Sequence, residues 1–435
     1  MSWPERPAAD WLSVAEARER VLALMAPLSA EEVPLAGALQ RALAAPIRAA
    51  ATLPPWDNSA MDGYAVRGTD VAGASADAPM TLTVVGEVRA GIRWEGTLGR
   101  GEAVRIMTGG PLPDGADSVV RVEDTDRETR PGRVGVSSDR DRGRNVRPGG
   151  EDVRRGERLL EAGELLGPGA LALAAAAGLA TVPVHRRPRI AVLTSGDELR
   201  GPDRFDDVRA GRAIPDTNGP FLLAAAVEAG AEAVGLGPVP DRSEMVRERL
   251  EEARNVDLLV TVGGASMGGT DLFRDALAAM GLRLDFWRVR MRPGSPFSAG
   301  HLPRPNGATL PVLGLPGNPA SAFVTFHLFV RPALWKLAGH GHLELPCLTA
   351  VAGSVLSGGG NLTHFLRVRL ERVDDALVAT PTGPQGSGLV RGLASADGLA
   401  VVPEGTAEVA AGARVTVLLL RLPAATGDGG GRVQR

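Results

Sequence analysis

The chain has 435 residues, 44% of them hydrophobic, 23% charged and 4% aromatic, with a formal net charge of -3 at pH 7. That composition is globular and long enough for roughly two to four domains. It lacks the basic excess of a nucleic-acid or anionic-membrane surface and the aromatics of a base-stacking platform. A single cysteine, Cys347, excludes an intrachain disulfide and a thiolate cluster for zinc or iron–sulfur. Its setting, LPCLTA, predicts a buried small residue.

At the start, MSWPERPAADWL has acids and prolines where a signal peptide needs a basic patch and an apolar core, so a cytoplasmic protein is expected. Ser13 and Glu16 form a capping box ahead of Val14, Ala17, Val21, Leu22 and Leu24, which opens an amphipathic helix. Residues 31–50 continue in short helical and extended pieces. The stretch 52–67, TLPPWDNSAMDGYAVR, holds two turn signals, and Asp57, Asn58 and Asp62 lie close enough to face one site. Two consecutive surface Asx turns account for the same residues.

From Met80 to Val136 short alternating strands separated by Gly and Pro predict a β-rich domain, one strand of which ends in Thr108-Gly109-Gly110. Residues 139–158 read as a solvated charged loop, although Gly149-Gly150-Glu151-Asp152 sets two carboxylates beside flexible backbone. The apolar stretch 165–184 is alanine-rich and interrupted by Gly178 and Pro183, so it predicts a short buried helix and a strand, not a membrane span.

From Arg189 the pattern alternates: RIAVLT, AVGLGPV, DLLVTV and DFWRVRM read as strands and the segments between them as helices. Such alternation predicts a parallel sheet with right-handed crossovers and a ligand crevice outside the carboxyl ends of the strands. Polar and glycine clusters fall there: 194–198 TSGDE, Pro240-Asp241, 263–271 GGASMGGTD, 292–296 RPGSP and 315–319 LPGNP. The run from Val260 to Asp271 is a strand ending in glycines, whose exposed N–H groups suit phosphate. Asp241 (with Glu244), Asp271 and Asn318 also read as helix N-caps. Gly339-His-Gly-His342 marks a hinge, the strands after it suggest a β barrel or sandwich, and the tail 423–435 has nothing to bury.

Taken in order, PPWDNSAMDGYAVR, RIMTGGPLP, RPGGEDVRRGE, TSGDEL, DTN, GGASMGGTD, RPGSPF and LPGNPAS closely resemble the MoeA family, the molybdopterin molybdenumtransferases, which includes the E domain of gephyrin. The resemblance runs from about residue 12 to 421, and DNSAMDGYA is its most specific stretch. It implies a multidomain α/β plus β homodimer. A discontinuous helical domain would span 1–51 and 143–185, an inserted β-rich domain 52–142, an adenylyltransferase-like parallel α/β domain 186–341 and a C-terminal β barrel 342–422, with a disordered tail at 423–435.

The resemblance further implies a site between subunits that takes adenylylated molybdopterin and molybdate, inserts molybdenum into the dithiolene and releases AMP with Mg²⁺. The adenylyltransferase of the pathway and molybdoenzyme maturation proteins would be partners; nucleic acid and membrane would not. The dithiolene sulfurs belong to the pterin, so no cysteine ligand is needed, and the metal calls for hard carboxylates. Asp62, Thr108, Asp152, Glu198, Asp241 and Asp271 match the family's acidic and hydroxyl residues. Asp241 and Asp271 are assigned to metal and pyrophosphate, and Glu198 and Asp216 to the pterin. Ser195, Gly196, Asp197, Asn218, Gly263, Gly264, Ser266, Gly268, Pro316, Gly317 and Asn318 complete the substrate crevice, with Ser266 and the glycine amides on the phosphate. Arg292, Ser295, Ser321 and Arg391 are assigned to the oxyanion.

The chain departs from the family mostly on that last side. Where KPGKP is usual it has Arg292-Pro-Gly-Ser295-Pro296, and Leu362 and Gly392 stand where an arginine and a serine are common. Each lost charge-assisted hydrogen bond to a dianion is worth roughly 1.5 to 3 kcal/mol; Arg391 is placed to compensate. Two alternatives follow: a paralogue that cleaves the adenylylated pterin or handles another oxyanion such as tungstate, and a non-catalytic scaffold like the gephyrin branch.

Overall fold

A computed structural model describes residues 11–89, 91–240, 242–263, 272–305 and 307–422. Two compact units emerge. One comprises the chain up to Ala45, Ala162–Gly167 and everything from Thr181; the other comprises Pro46–Glu161 and Pro168–Ala180.

In the second unit a five-stranded sheet runs in the order Ser118–Arg121, Gly63–Val66, Glu102–Ile106, Met80–Val88, Arg133–Val136. Only Met80–Val88 and Glu102–Ile106 pair in parallel. Tyr64 and Val66 pack on one face with Leu82, Val120 and Val134, and Ala65 packs on the other with Val104, Ile106 and Val119. Both faces are covered, which is why the central strand YAV carries no polar alternation.

The capping box at Ser13 forms as the sequence dictates. Ser13 Oγ accepts from the Glu16 amide at 3.3 Å, and the Ser13 amide donates back to Glu16 Oε2 at 2.8 Å, ahead of the helix Val14–Ala23. Among the described residues, the segments expected to build a helical domain hold two α-helices, Val14–Ala23 and Pro168–Ala176, a 3-10 turn at Leu35–Gly37 and otherwise short strands. Ala30–Pro34 and Thr181–His185 instead pair antiparallel, as their spaced valines permit. Helix Pro168–Ala176 is not the buried helix expected. Ala174 is its one buried residue, and Leu171 and Leu173 are half-buried.

The α/β part of the first unit is built from β1 (Arg189–Ser195), α1 (Asn218–Glu228), β2 (Glu232–Val239), α2 (Ser243–Glu252), β3 (Leu258–Val262), α3 (Leu272–Ala279), β4 (Arg283–Trp287), β5 (Ser298–Pro303), β6 (Thr309–Leu315) and α4 (Pro319–Thr325). The strand order is β2-β1-β3-β6-β5-β4. β2, β1, β3 and β6 are parallel, whereas β5 is antiparallel to both neighbours. The sheet is therefore mixed and not all-parallel as expected. The physical reason is the link from β5 to β6, where Arg304 N donates to Ala308 O at 2.8 Å; so short a connection joins strands only antiparallel.

After residue 342, β7 (Cys347–Ala352), β8 (Thr363–Val373), β9 (Ala376–Pro381), β10 (Gly398–Val402) and β11 (Arg414–Leu419) close in the order β8-β9-β7-β11-β10 and back to β8. Closure leaves no free edge. Cys347 is exposed, not buried as expected: alternation along β7 turns Ala350 and Ala352 inward and residue 347 outward. The barrel fills with Ala350, Leu366, Val368, Leu370, Val402 and Val417, while Phe365, Ala396 and Leu399 join the α/β core beside Phe297 and Phe329. No helix among the described residues is long and apolar enough to cross a membrane.

Candidate functional site

The parallel register places the loaded loops at one end of the sheet. Ser195 lies opposite Val239, Thr194 opposite Val262, and Val262 opposite Leu315. Trp287, Ser298 and Gly314 line up across the antiparallel strands, bringing the loop 288–297 to the same end. Gly263 has φ +111°, and a Cβ on it would lie 2.7 Å from Ser195 Oγ, so only glycine lets β3 leave the sheet beside β1.

Asp216 is buried, and both its oxygens are committed inside the fold: Oδ2 accepts from Thr194 Oγ1 at 3.0 Å and Oδ1 from Gly219 N at 2.9 Å. It pins the DTN turn to the tip of β1. Asn218 then donates through Nδ2 to Gly317 O at 2.7 Å. The next link is Asn318, whose amide makes no cap to α4 and donates instead to Ser387 Oγ at 3.2 Å on the barrel side. Ala320 N donates to Ser387 O at 2.9 Å. Asn318 was expected to cap its helix; the barrel loop competes for its side chain and wins. Ser195, Gly196 and Pro316 are buried in this network, whereas Asp197, Glu198, Gly317 and Asn318 are exposed at its surface.

Beside these loops lies a cavity of about 620 Å³, walled by the 291–296 loop and Ser321 on one side and by the barrel residues Val355, Ser357, Gly358, Leu362, His364, Phe365, Leu366, Pro381, Gln385, Gly386 and Ser387 on the other. Arg292, Ser295, Ser321 and Leu362, distant in sequence, meet here. Arg391 is exposed and is not among the residues lining the cavity. Ser295 Oγ donates to Met291 O, closing its own loop.

Gln385 is clamped to β8: its Oε1 accepts from Arg367 N at 2.9 Å, and its Nε2 donates to Arg367 O at 3.2 Å and Gly383 O at 2.9 Å. Under this clamp Arg367 is 1% exposed. Its Nη2 donates to Pro384 O and Gly386 O at 3.3 and 3.4 Å, while its Nε and Nη1, like Thr382 Oγ1, are buried without partners. A Cβ at Gly392 would lie 2.7 Å from Thr382 Oγ1 and 3.7 Å from Arg367 Nε, so the departure at 392 coincides with two of these orphaned groups.

His364 is 8% exposed. Burial and the charge of Arg292 hold its imidazole below the usual histidine range, opposed by a hydrogen bond with the Gly359 backbone. The sequence reading missed His364, Gln385, Ser357 and Ser387. His364 carried a usable signal, since it stands two residues after Leu362, at the start of an apolar strand; Gln385 and Ser387 act through backbone pairings that no motif announces.

The second unit gathers its own motifs. Thr108 donates from both N and Oγ1 to Asp62 Oδ1, at 2.7 and 2.8 Å, holding that carboxyl below the usual range. Gly149 N donates to Asp57 Oδ1 at 2.7 Å, and Asn58 pairs with Arg147 in a short antiparallel bridge. A Cβ on Gly63 would lie 2.0 Å from Val120 O, which fixes the glycine of MDG. Asp152 is exposed, with its amide donating to Leu53 O at 3.1 Å. DNSAMDG, TGG and RPGG thus form one cluster, in which Asp57 and Asp62 hold loops together and Asp152 is turned to solvent.

Asp241, Gly264, Ser266, Gly268 and Asp271 lie outside the described residues, as does the tail 423–435. Among the described residues no group of three or more His, Cys, Asp or Glu side chains is placed to hold a metal; Gly339-His-Gly-His342 instead stacks His340 on Trp335, with ring centroids 5.9 Å apart.

Three family models match this chain: the MoeA N-terminal region (domain I and II) over residues 12–178, a probable molybdopterin binding domain over 191–336, and the MoeA C-terminal region (domain IV) over 349–420. A molybdopterin molybdenumtransferase of Bacillus subtilis is 35% identical over 415 residues, 94% of each chain. Molybdopterin molybdenumtransferase 2 of Mycobacterium tuberculosis is 36% identical over 411 residues, 93% of this chain and 98% of that one. The crystal structure of a molybdopterin biosynthesis moeA protein from Pyrococcus horikoshii superposes with a TM-score of 0.81 at 28% identity, covering 94% of this chain and all of that one. The folded domains, the loops at the sheet end and nearly full-length identity agree: this chain belongs to the MoeA family.

Proposed function

We propose that this chain is a molybdenum cofactor biosynthesis transferase that inserts molybdenum from molybdate into the dithiolene of adenylylated molybdopterin, with release of AMP. Family membership supports the reaction class. The observation that carries the proposal at the level of residues is the cavity: Arg292 and serine hydroxyls line it, and among the described residues no carboxylate does. A tetrahedral dianion gains attraction and hydrogen bonds there without like-charge repulsion.

The chain Asn218–Gly317, Asn318–Ser387 connects the loops at the sheet end to the cavity wall. It fixes the distance between a pterin held at the strand ends and an oxyanion held in the cavity, which is the positioning that a bimolecular ligand exchange requires. Each Mo–S bond formed replaces an Mo–O bond, the oxygen leaving as water with two protons. Glu198, exposed at the tip of β1, is assigned to the pterin; Asp216 positions Asn218 and reaches the substrate through it. Mg²⁺ dependence belongs to the same reading, with Asp241 and Asp271 as its oxygen donors; chelation should abolish AMP release, and added Mg²⁺ restore it. Homodimerisation, a cytoplasmic location and hand-over from an adenylyltransferase to maturation proteins are further parts of the proposal. Light scattering tests the first of these: a monomeric mass would overturn it.

The direct test supplies purified protein with adenylylated molybdopterin, Mg²⁺ and molybdate, then scores AMP and reconstitution of an apo-molybdoenzyme. AMP and active cofactor in equal amounts are expected; absence of both would sink the reading. Leu362, an apolar group on the cavity wall, favours one rival: pterin-nucleotide cleavage without insertion, or selection of tungstate. Equal AMP release with and without oxyanion, and a metal-free product, would select the first form. Faster turnover with tungstate would select the second.

A further inference from the structure

Among the described residues that line the cavity, Arg292 and His364 are the two with ionisable side chains. They are direct neighbours, because Met291–Arg292 pairs in parallel with the start of β8 and Arg292 stands opposite His364. Leu362, just before β8, and His364, within it, both line the cavity. Position 362 is where the family resemblance leads one to expect an arginine. The wall has therefore lost a guanidinium and carries an imidazole two residues further on.

We propose that His364 is the second anion-binding group of this cavity, donating a hydrogen bond to the bound oxyanion in the role that an arginine at 362 would fill. The inference rests on reading the cavity as the oxyanion site. One ring nitrogen of His364 is engaged with the Gly359 backbone. If that nitrogen carries the N–H, the other presents a lone pair in the neutral ring, which repels an oxyanion, and an N–H donor in the protonated ring.

With the cavity free of anion, burial and Arg292 favour the neutral ring. A dianion offsets the charge of Arg292 and favours protonation, so binding takes up a proton. The surrounding groups do not supply an alternative. On the far side of β8, His364 is in register with Val402. Glu404, further along that segment, is paired with Arg290 at 3.2 Å. The wall segments 355–358 and 385–387 contribute no titratable side chain to the cavity.

Equilibrium dialysis of molybdate, and separately tungstate, against the full chain tests this at about pH 8 and about pH 6.5, where linkage allows Kd to change by at most roughly tenfold per pH unit. In the unsubstituted protein Kd should fall at least fivefold, in order of magnitude ~5–20, on acidification. His364→Gln should match it at the higher pH and lose the improvement at the lower. Adding Leu362→Arg to His364→Gln should restore tight binding at both pH values without a slope, which separates a lost donor from a damaged fold. An unchanged slope in His364→Gln overturns the inference. Binding that is weakened by Arg292→Gln but indifferent to pH and to His364→Gln overturns it while leaving the cavity's role intact. No anion binding at either pH overturns both.

Discussion

The turn cluster of the second unit and the cavity of the first handle charge in opposite ways. In the cluster, charge is met by local donors: Asp62 is held by the amide and hydroxyl of Thr108, below the usual carboxylate range, and elsewhere in the same unit Asp126 is held likewise by the Gly135 amide. In the unit that contains the cavity, charge is suppressed or left unmatched. His327 is buried and neutral, His364 is depressed, and Arg367 has two nitrogens without partners. The difference teaches that a motif dense in carboxylates is not by that fact a reactive one. Two aspartates of the turn cluster build loops, while the surface lining the cavity is a sparsely charged wall.

The largest expected effect is a difference in acid sensitivity between the units. Burial first, and Arg331 second, push His327 down to about 3 from its ordinary 6.5. Below pH 6.5 the unfolded chain therefore binds a proton that the fold refuses. Its contribution is complete above that pH and falls by about 1.4 kcal/mol per pH unit until about pH 3. His340, pushed by burial to about 4, adds in the same direction. Asp62 and Asp126 act in the same direction but in a lower window: their stabilisation is present above 3.8 and is lost only below it. Hydrogen exchange between about pH 6.5 and 4.5 should show amides of the first unit opening while those of the 63–136 sheet stay protected. His327→Leu should flatten that response. Equal loss of protection in both units would break the comparison.

Next in size is Gly263→Ala. The position combines φ +111° with an approach of 2.7 Å to Ser195 Oγ, so the substitution should cost about 2 to 4 kcal/mol in thermal or urea unfolding. A cost below about 0.5 kcal/mol would mean the β3 exit is not held as described.

Arg292→Gln probes the sparsely charged wall directly. It removes the one guanidinium that lines the cavity among the described residues and should raise the apparent KM for molybdate about 10- to 100-fold, consistent with a charge-assisted pair. AMP release without oxyanion should be nearly unaffected. A fall in kcat with KM unchanged would assign Arg292 to the reaction step and remove it from anion capture.

How far the fold was legible follows the same division. Local rules predicted the capping box at Ser13, the short strands from 80 to 136 and the convergence of loops at the ends of β1, β3 and β6, because each depends on nearby periodicity and turn chemistry. The antiparallel β5 was missed, since HLPRPNGATLPVLGL carries no helix between its strands and its pairing is set by a turn. Cys347 was misplaced because the register of β7, not its apolar neighbours, decides which way it faces. In the cavity, Arg292 and Ser321 were legible through the family resemblance. His364 stood outside every motif, and Gln385 and Ser387 depend on pairings between distant segments.

The smallest predicted effect concerns the orphaned groups behind the cavity wall. If Gly392 leaves Arg367 Nε and Thr382 Oγ1 unmatched, a serine there should help only once its Cβ has room. Alone, Gly392→Ser brings a Cβ to 2.7 Å from Thr382 Oγ1, and the threonine must move. In a Thr382→Ala background the clash and one orphan vanish together, and the new hydroxyl comes within reach of Arg367 Nε, 3.7 Å from the Cβ position. A satisfied donor of this kind contributes about 1 kcal/mol. The double variant should therefore be more stable than Thr382→Ala by about that amount, whereas Gly392→Ser on the native background should gain nothing or lose stability. Urea unfolding of the four proteins closes the cycle. Additive effects would show that Arg367 is not the partner; a coupling of about 1 kcal/mol would show that the wall of the cavity is held less firmly than the fold permits.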